Sequence, residues 1–116
     1  MTLPPRIPKK PKRESRWRSQ AHLNFVRGHM CAVCLADSAI EVAHVRIGSG
    51  AGMGQKPDDF RTVSLCRDCH QRQHSVGEAT FWENATTADV EALIDAFCKA
   101  SPRASEIARI RKERGL

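Results

Sequence analysis

Seven side chains in this sequence have the type and spacing to do chemistry: Cys31, Cys34, Cys66, Cys69, His44, His70 and His74. The cysteines form two C-x-x-C pairs, Cys31-Ala-Val-Cys34 and Cys66-Arg-Asp-Cys69. Each pair presents two thiolates from one tight turn, and two such turns complete the tetrahedral shell of a structural Zn²⁺. A thioredoxin-like redox role would account for one pair and leave the other unexplained. His70 and His74 stand four apart, so on a helix they project from one face. With four cysteines closing the zinc shell, these histidines are free to hold a second, open metal site. The plainer alternatives are two solvated surface histidines, and for His44 a structural histidine at the end of a strand.

Elements must position these groups. Thirty-one residues separate Cys34 from Cys66, more than the roughly 15–20 of a plain zinc ribbon. The interval reads as a strand (Ala39 to Val45), a loop with glycines at 48, 50, 52 and 54, and a second strand, Thr62 to Leu65. Glycines at alternate positions suit neither helix nor strand, and the loop lacks the spacing of a Walker A or dinucleotide fingerprint. Zinc would thus pin both ends of a hairpin that carries His44. The second pair runs into a helix expected to continue through His74. Upstream, the pattern from Ser15 to Arg27 predicts a helix with Trp17, Ala21, Leu23 and Phe25 on one face and Gly28 as its stop. Downstream, Thr80 to Glu83 reads as a helical turn. Thr87 can cap a helix from Ala88 to Lys99 with a stripe of Val90, Leu93, Ile94, Phe97 and Cys98. Ser105 to Arg114 reads as a terminal helix ended by Gly115. No internal repeat is seen.

The 116 residues fit one domain, and with 5% aromatics and no tyrosine the core is lean enough to need reinforcement by a metal or disulfides. The first nineteen residues show no apolar segment of signal-peptide type, and no stretch approaches a membrane span. The expected setting is a reducing cytoplasm, where paired cysteines bind metal. Of the net charge of +6, residues 1–19 carry seven Lys/Arg against Glu14, residues 20–98 six against ten Asp/Glu, and residues 99–116 six against two. Two basic ends flanking an acidic middle suit a polyanionic partner, nucleic acid first, although such tails also serve solubility alone. The proline-rich residues 1–16 read as a disordered basic arm, residues 17–100 as the functional domain, and residues 101–116 as a basic C-terminal helix.

The string Ala43-His44-Val45, the glycine-rich loop, Asp59-Phe60-Arg61 and Leu65-Cys66-x-x-Cys69-His70-x-x-x-His74 resembles an HNH (His-Me finger) nuclease. In particular it is similar to phage-borne nucleases of the recombination-enhancement type, the RecA-dependent, Ref-like group, and to their prophage relatives. The resemblance covers Phe25 to Trp82. It implies a small α+β fold, a zinc-stapled ββα-metal core with an N-terminal helix and C-terminal helices. It implies a metal-dependent DNA endonuclease in a bacterial host cell, phage or prophage encoded, acting in phage recombination or DNA processing, with a recombinase filament as a further partner. His44 matches the general base, and His70 and His74 match the ligands of a catalytic metal: Mg²⁺ or Mn²⁺, or else Zn²⁺. Asp59 stands where a residue, usually asparagine, braces the loop and the base. Ala43 departs from relatives that place a metal-binding Asp or His there, which implies weaker metal affinity or a stronger need for bound DNA. Arg46, Lys56 and Arg61 lie where phosphates would pass, and each could equally be a solvated charge. A non-catalytic zinc-knuckle nucleic-acid-binding protein is the alternative, and RNA is an alternative substrate.

Overall fold

Two short strands, β1 (Ile40–His44) and β2 (Thr62–Cys66), pair antiparallel with Ile40 opposite Cys66 and His44 opposite Thr62. The computed structural model describes residues 2–8, 16–51, 55–85 and 89–116. Five helices accompany the sheet among these residues: α1 (Gln20–Arg27) before it, then α2 (Arg67–Val76), α3 (Glu78–Asn84), α4 (Val90–Ala100) and α5 (Ala104–Glu113). The fold is a small α+β arrangement. No helix among the described residues is long and apolar enough to cross a membrane.

β2 is the most enclosed element, with all five residues buried. Its alternation explains how it tolerates that. Val63 and Leu65 join the hydrophobic core with Ala43, Val45, Phe60 and Ile94. The polar residues between them are satisfied, Thr62 Oγ1 donating to Asp59 O at 2.8 Å and Ser64 Oγ to Met30 O at 2.7 Å. In β1 the same two-residue period buries Ala43 and turns Val42 and His44 to the other face.

α1 starts later than the pattern predicts. Ser19 is its cap, its hydroxyl accepting from His22 N at 3.2 Å, and this start sets His22 and Val26 on the buried face. Trp17 lies before the helix and is buried by its own contacts: its indole N–H donates to Glu106 of α5 at 2.9 Å and its backbone N–H to Asp58 at 2.7 Å. α4 is capped by Asp89, whose carboxylate accepts from Glu91 N at 3.0 Å, and buries Ile94 and Cys98. The cap expected of Thr87 falls outside the described residues, as do Gly52 and Gly54 of the glycine loop and residues 1 and 9–15 of the arm.

The ends of the described domain are drawn in by one acid. Asp58 receives Trp17 N, the Arg16 guanidinium at 3.3 Å and the Arg114 guanidinium at 2.6 Å. Burial alone would raise its pKa, but these donors and charges hold it below the ordinary carboxylate value. α5 therefore packs as part of the body, with Ile107 in the core and Arg111 paired to Asp95 at 2.8 Å. Arg16, placed in the arm by composition, also belongs to the packed region.

Candidate metal centre and the adjoining cleft

The two C-x-x-C pairs converge. The sulfurs of Cys31, Cys34, Cys66 and Cys69 all lie within 4.8 Å of one another, and all five cysteines are free thiols. Cys34 and Cys66 are 3.6 Å apart, against about 3.8 Å for two sulfurs of a tetrahedral site with Zn–S near 2.3 Å. The four cysteines could thus hold a structural zinc ion. Backbone groups build the first turn: Cys31 N donates to Ala36 O at 2.9 Å, Leu35 N to Cys31 O at 3.0 Å, and Leu35 takes a left-handed φ of 63°. Ala32 N donates to Ser64 O at 2.9 Å and ties this turn to β2. The second pair occupies the junction where β2 ends and α2 begins.

The four thiols do not share one acidity. Burial opposes charge at Cys31, yet backbone N–H groups of Cys34, Cys66 and Val33 bring it down to about 6. Burial and the neighbouring thiols push Cys69 up to about 12, against the pull of Arg72, whose guanidinium lies 3.7 Å from its sulfur. A divalent cation bound here would be held by all four sulfurs as thiolates, its charge favouring their deprotonation.

α2 carries the next site. Because Cys66 and Cys69 fix its first turn, the directions of His70 and His74 are set by the cysteine cluster. His70 Nδ1 donates to Glu41 Oε1 at 3.0 Å, which leaves Nε2 with its lone pair. That nitrogen lies 3.2 Å from His74 Nε2. Two nitrogens bound side by side to one metal, each near 2.0–2.1 Å from it, are roughly 3.0–3.4 Å apart, so the pair fits two positions of a shared shell. Among the described residues, the cysteine cluster is the one group of three or more metal-capable side chains with mutually close ligand atoms; Glu41 reaches His70 through Nδ1 and does not complete such a group with His74. Ala43 is buried in the core and offers nothing to this face.

His44 lies at the end of β1, its ring largely covered. Its Nε2 is 2.9 Å from Asp59 Oδ1. A carboxylate only accepts, so Nε2 carries the proton and Nδ1 is left as the basic nitrogen. Asp59 is itself held, receiving Ser19 N at 2.8 Å and the Arg18 guanidinium at 3.2 Å. The same guanidinium also donates to Pro57 O and Lys56 O. The acid thus joins the N-terminal cap, the loop and the histidine.

His44, His70 and His74 line one cleft of about 730 Å³, together with Arg27, Arg46, Lys56, Gln73 and Glu78. Arg46 and Lys56 therefore open onto this cleft. Arg61 does not: its side chain is 10% exposed and is spent inside the fold, on Glu91 at 2.6 and 3.1 Å and on the carbonyls of Ile47 and Val45 at 2.6 and 3.4 Å. The reading of Arg61 as a nucleic-acid contact is corrected accordingly. Gly48 permits this arrangement. It sits at φ +72°, and a Cβ there would lie 3.3 Å from Glu91 Oε1. Arg27, Glu41 and Glu78 were missed from sequence. Each comes to the cleft or to His70 from another element, and only Arg27, a cation in the last turn of a helix leading to the first knuckle, carried a visible signal.

No curated protein and no solved structure matches the chain. A family model described as "Protein of unknown function (DUF968)" matches residues 4–102, and the chain belongs to that family.

Proposed function

We propose that this protein is a metal-dependent DNA endonuclease of the HNH type, with a ββα-metal site formed by β1, β2 and α2. The observation that carries the reading is the shared cleft: an imidazole oriented by a carboxylate and a pair of imidazole nitrogens 3.2 Å apart open onto the same space. His44 Nδ1 takes the proton of the attacking water, while Asp59 holds the ring and offsets the charge it acquires. Glu41 keeps His70 in the tautomer whose Nε2 can ligate. A divalent cation held by His70 and His74 would neutralise charge on the phosphoryl oxygens and on the departing 3′-oxygen. Arg27, Arg46 and Lys56 supply positive potential along the cleft, and the basic ends of the chain add attraction of longer range.

A second reading is favoured by one observation: among the described residues no third metal-capable side chain brings a ligand atom close to those of both His70 and His74. On that reading the chain is a zinc-knuckle nucleic-acid-binding protein without turnover. The deciding experiment is plasmid nicking by wild type and His44→Ala across Mg²⁺, Mn²⁺ and Zn²⁺, with single-stranded DNA and RNA as further substrates. Cutting by wild type and none by His44→Ala is expected. Binding without cutting under every condition supports the second reading.

A further inference from the structure

Just beyond His44, where β1 has ended, two successive backbone amides converge on one carboxylate. Arg46 N donates to Glu78 Oε1 at 3.0 Å and Oε2 at 2.9 Å, and Ile47 N donates to Oε2 at 2.9 Å. Consecutive N–H groups aimed at one acid form the concavity in which a backbone holds phosphate oxygens. Glu78 comes from the start of α3, and Gly77 directs it there. Gly77 sits at φ +88° with no atom of the described residues within 4 Å of where a Cβ would be, so the conformation, not space, calls for glycine. Glu78 lines the same cleft as His44, His70 and His74 and shares it with the cations Arg27 and Lys56. An acid in that position opposes the approach of any polyanion unless it leaves. The three bonds are solvent-exposed, so an incoming anion can exchange for it at low cost.

We propose that the amides of Arg46 and Ile47 form a phosphate subsite of the cleft, occupied by the Glu78 carboxylate until a backbone phosphate of nucleic acid displaces it. The inference rests on the nucleic-acid reading above and names one contact of that substrate. Glu78 then acts as an intramolecular stand-in for the substrate, and binding is weakened by the displacement.

The test uses the full zinc-loaded chain carrying His44→Ala, so that DNA is not cut, with and without Glu78→Gln. Amide resonances are followed while inorganic phosphate, and separately a short DNA duplex, is added. Both ligands are expected to move the Arg46 and Ile47 amides. Glu78→Gln is expected to lower the half-saturating concentration about tenfold, the scale of one charge-assisted hydrogen bond. Should Glu78→Gln not fold, Glu78→Asp, which withdraws the carboxylate by one methylene, is expected to act in the same direction. Unmoved amides with both ligands overturn the subsite. Movement with phosphate but not DNA overturns the nucleic-acid assignment. Weaker DNA binding and a lower melting temperature in Glu78→Gln would make Glu78 a brace for the loop and overturn the displacement. Movement by DNA, with no cleavage by the His44-containing protein under any metal, leaves the subsite standing and removes the nuclease reading.

Discussion

The cysteine cluster and the histidine cleft sit at opposite ends of one short causal chain, and they are built on different rules. At the cluster four like ligands converge, three of them buried, with sulfurs no more than 4.8 Å apart. At the cleft only two imidazole nitrogens meet, beside a separate imidazole and a cavity of about 730 Å³. A closed four-ligand shell suits a metal that holds structure, and an open one suits a metal that meets a substrate. The first also serves the second. Cys69 and His70 are adjacent, so whatever fixes the cluster fixes the first turn of α2 and the direction of both histidines.

The largest expected effect comes from breaking the cluster. Zinc in small sites contributes about 10–16 kcal/mol of apparent binding energy, comparable to or larger than the roughly 5–15 kcal/mol stability of a whole domain. Chelation, or Cys66→Ser, is therefore expected to unfold the protein, seen as loss of far-UV helical signal together with release of one zinc per chain. A chain that stays folded without metal would show that the thiols suffice alone.

Breaking the cleft should separate chemistry from folding. His44→Ala is expected to lower nicking by about 10²–10⁴-fold, the usual worth of a general base, with the zinc content and melting temperature close to wild type. His70→Ala and His74→Ala remove a ligand instead, so raised Mn²⁺ should restore part of their activity and none of the activity of His44→Ala. Glu41→Gln should shift the metal dependence in the same sense as His70→Ala by about 10-fold or more. Equal metal responses in all these variants would erase the distinction between base and ligands.

How much of this could be read from the sequence follows from how local each feature is. The knuckles, β1, β2 and α2 were legible because their signals lie within a few residues: C-x-x-C, β-prone runs, and histidines four apart. α4 was legible from its stripe, although its cap at Asp89 lay two residues beyond the one expected. What escaped depends on contacts across the chain. His22 looks like a surface histidine until a helix starting at Gln20 turns it inward. Asp58 gathers Arg16 and Arg114 from the two ends of the described domain, which no window along the sequence contains. Arg61 has the right residue type for a phosphate contact, and only its burial against Glu91 shows where its charge goes.

Arg61 therefore distinguishes a structural cation from one that faces substrate. Its removal leaves the Val45 and Ile47 carbonyls without this donor and takes the ion-pair partner from Glu91, which is itself half exposed. Arg61→Ala should cost about 2–3 kcal/mol of stability, read from denaturant midpoints at an unchanged slope. Lys56→Ala, at an exposed cation of the cleft, should leave stability within about 0.5 kcal/mol and weaken DNA binding with a smaller salt dependence. The opposite pattern would return Arg61 to the substrate side.

The smallest effect expected is a dependence of stability on pH that arises from a buried imidazole outside both the cysteine cluster and the lining of the cleft. His22 is fully buried on α1; its Nδ1 lies 2.8 Å from Ser101 Oγ, and its Nε2 has no hydrogen-bond partner among the described residues. Burial lowers its pKa from the ordinary histidine value, while the nearby Asp59 charge acts the other way and only partly offsets it. Above about pH 6.5 the imidazole is neutral in both folded and unfolded chains and contributes no pH dependence. As pH falls below that value, the unfolded chain takes up a proton that the folded chain resists, so stability declines. The decline from this group ends once the folded-state imidazole is also protonated. Asp58 acts lower on the scale: its stabilisation is present above the ordinary carboxylate pKa and is lost as pH falls through its depressed folded value. Melting temperatures of the zinc-loaded protein should therefore fall between about pH 6.5 and 5 more steeply in wild type than in His22→Asn, whose side chain does not titrate. Any acid-induced loss of zinc contributes to both proteins alike, so the difference between the two curves isolates His22. Parallel curves would show that the buried imidazole takes its proton without cost, and would place the acid sensitivity of the fold in the thiolate cluster instead.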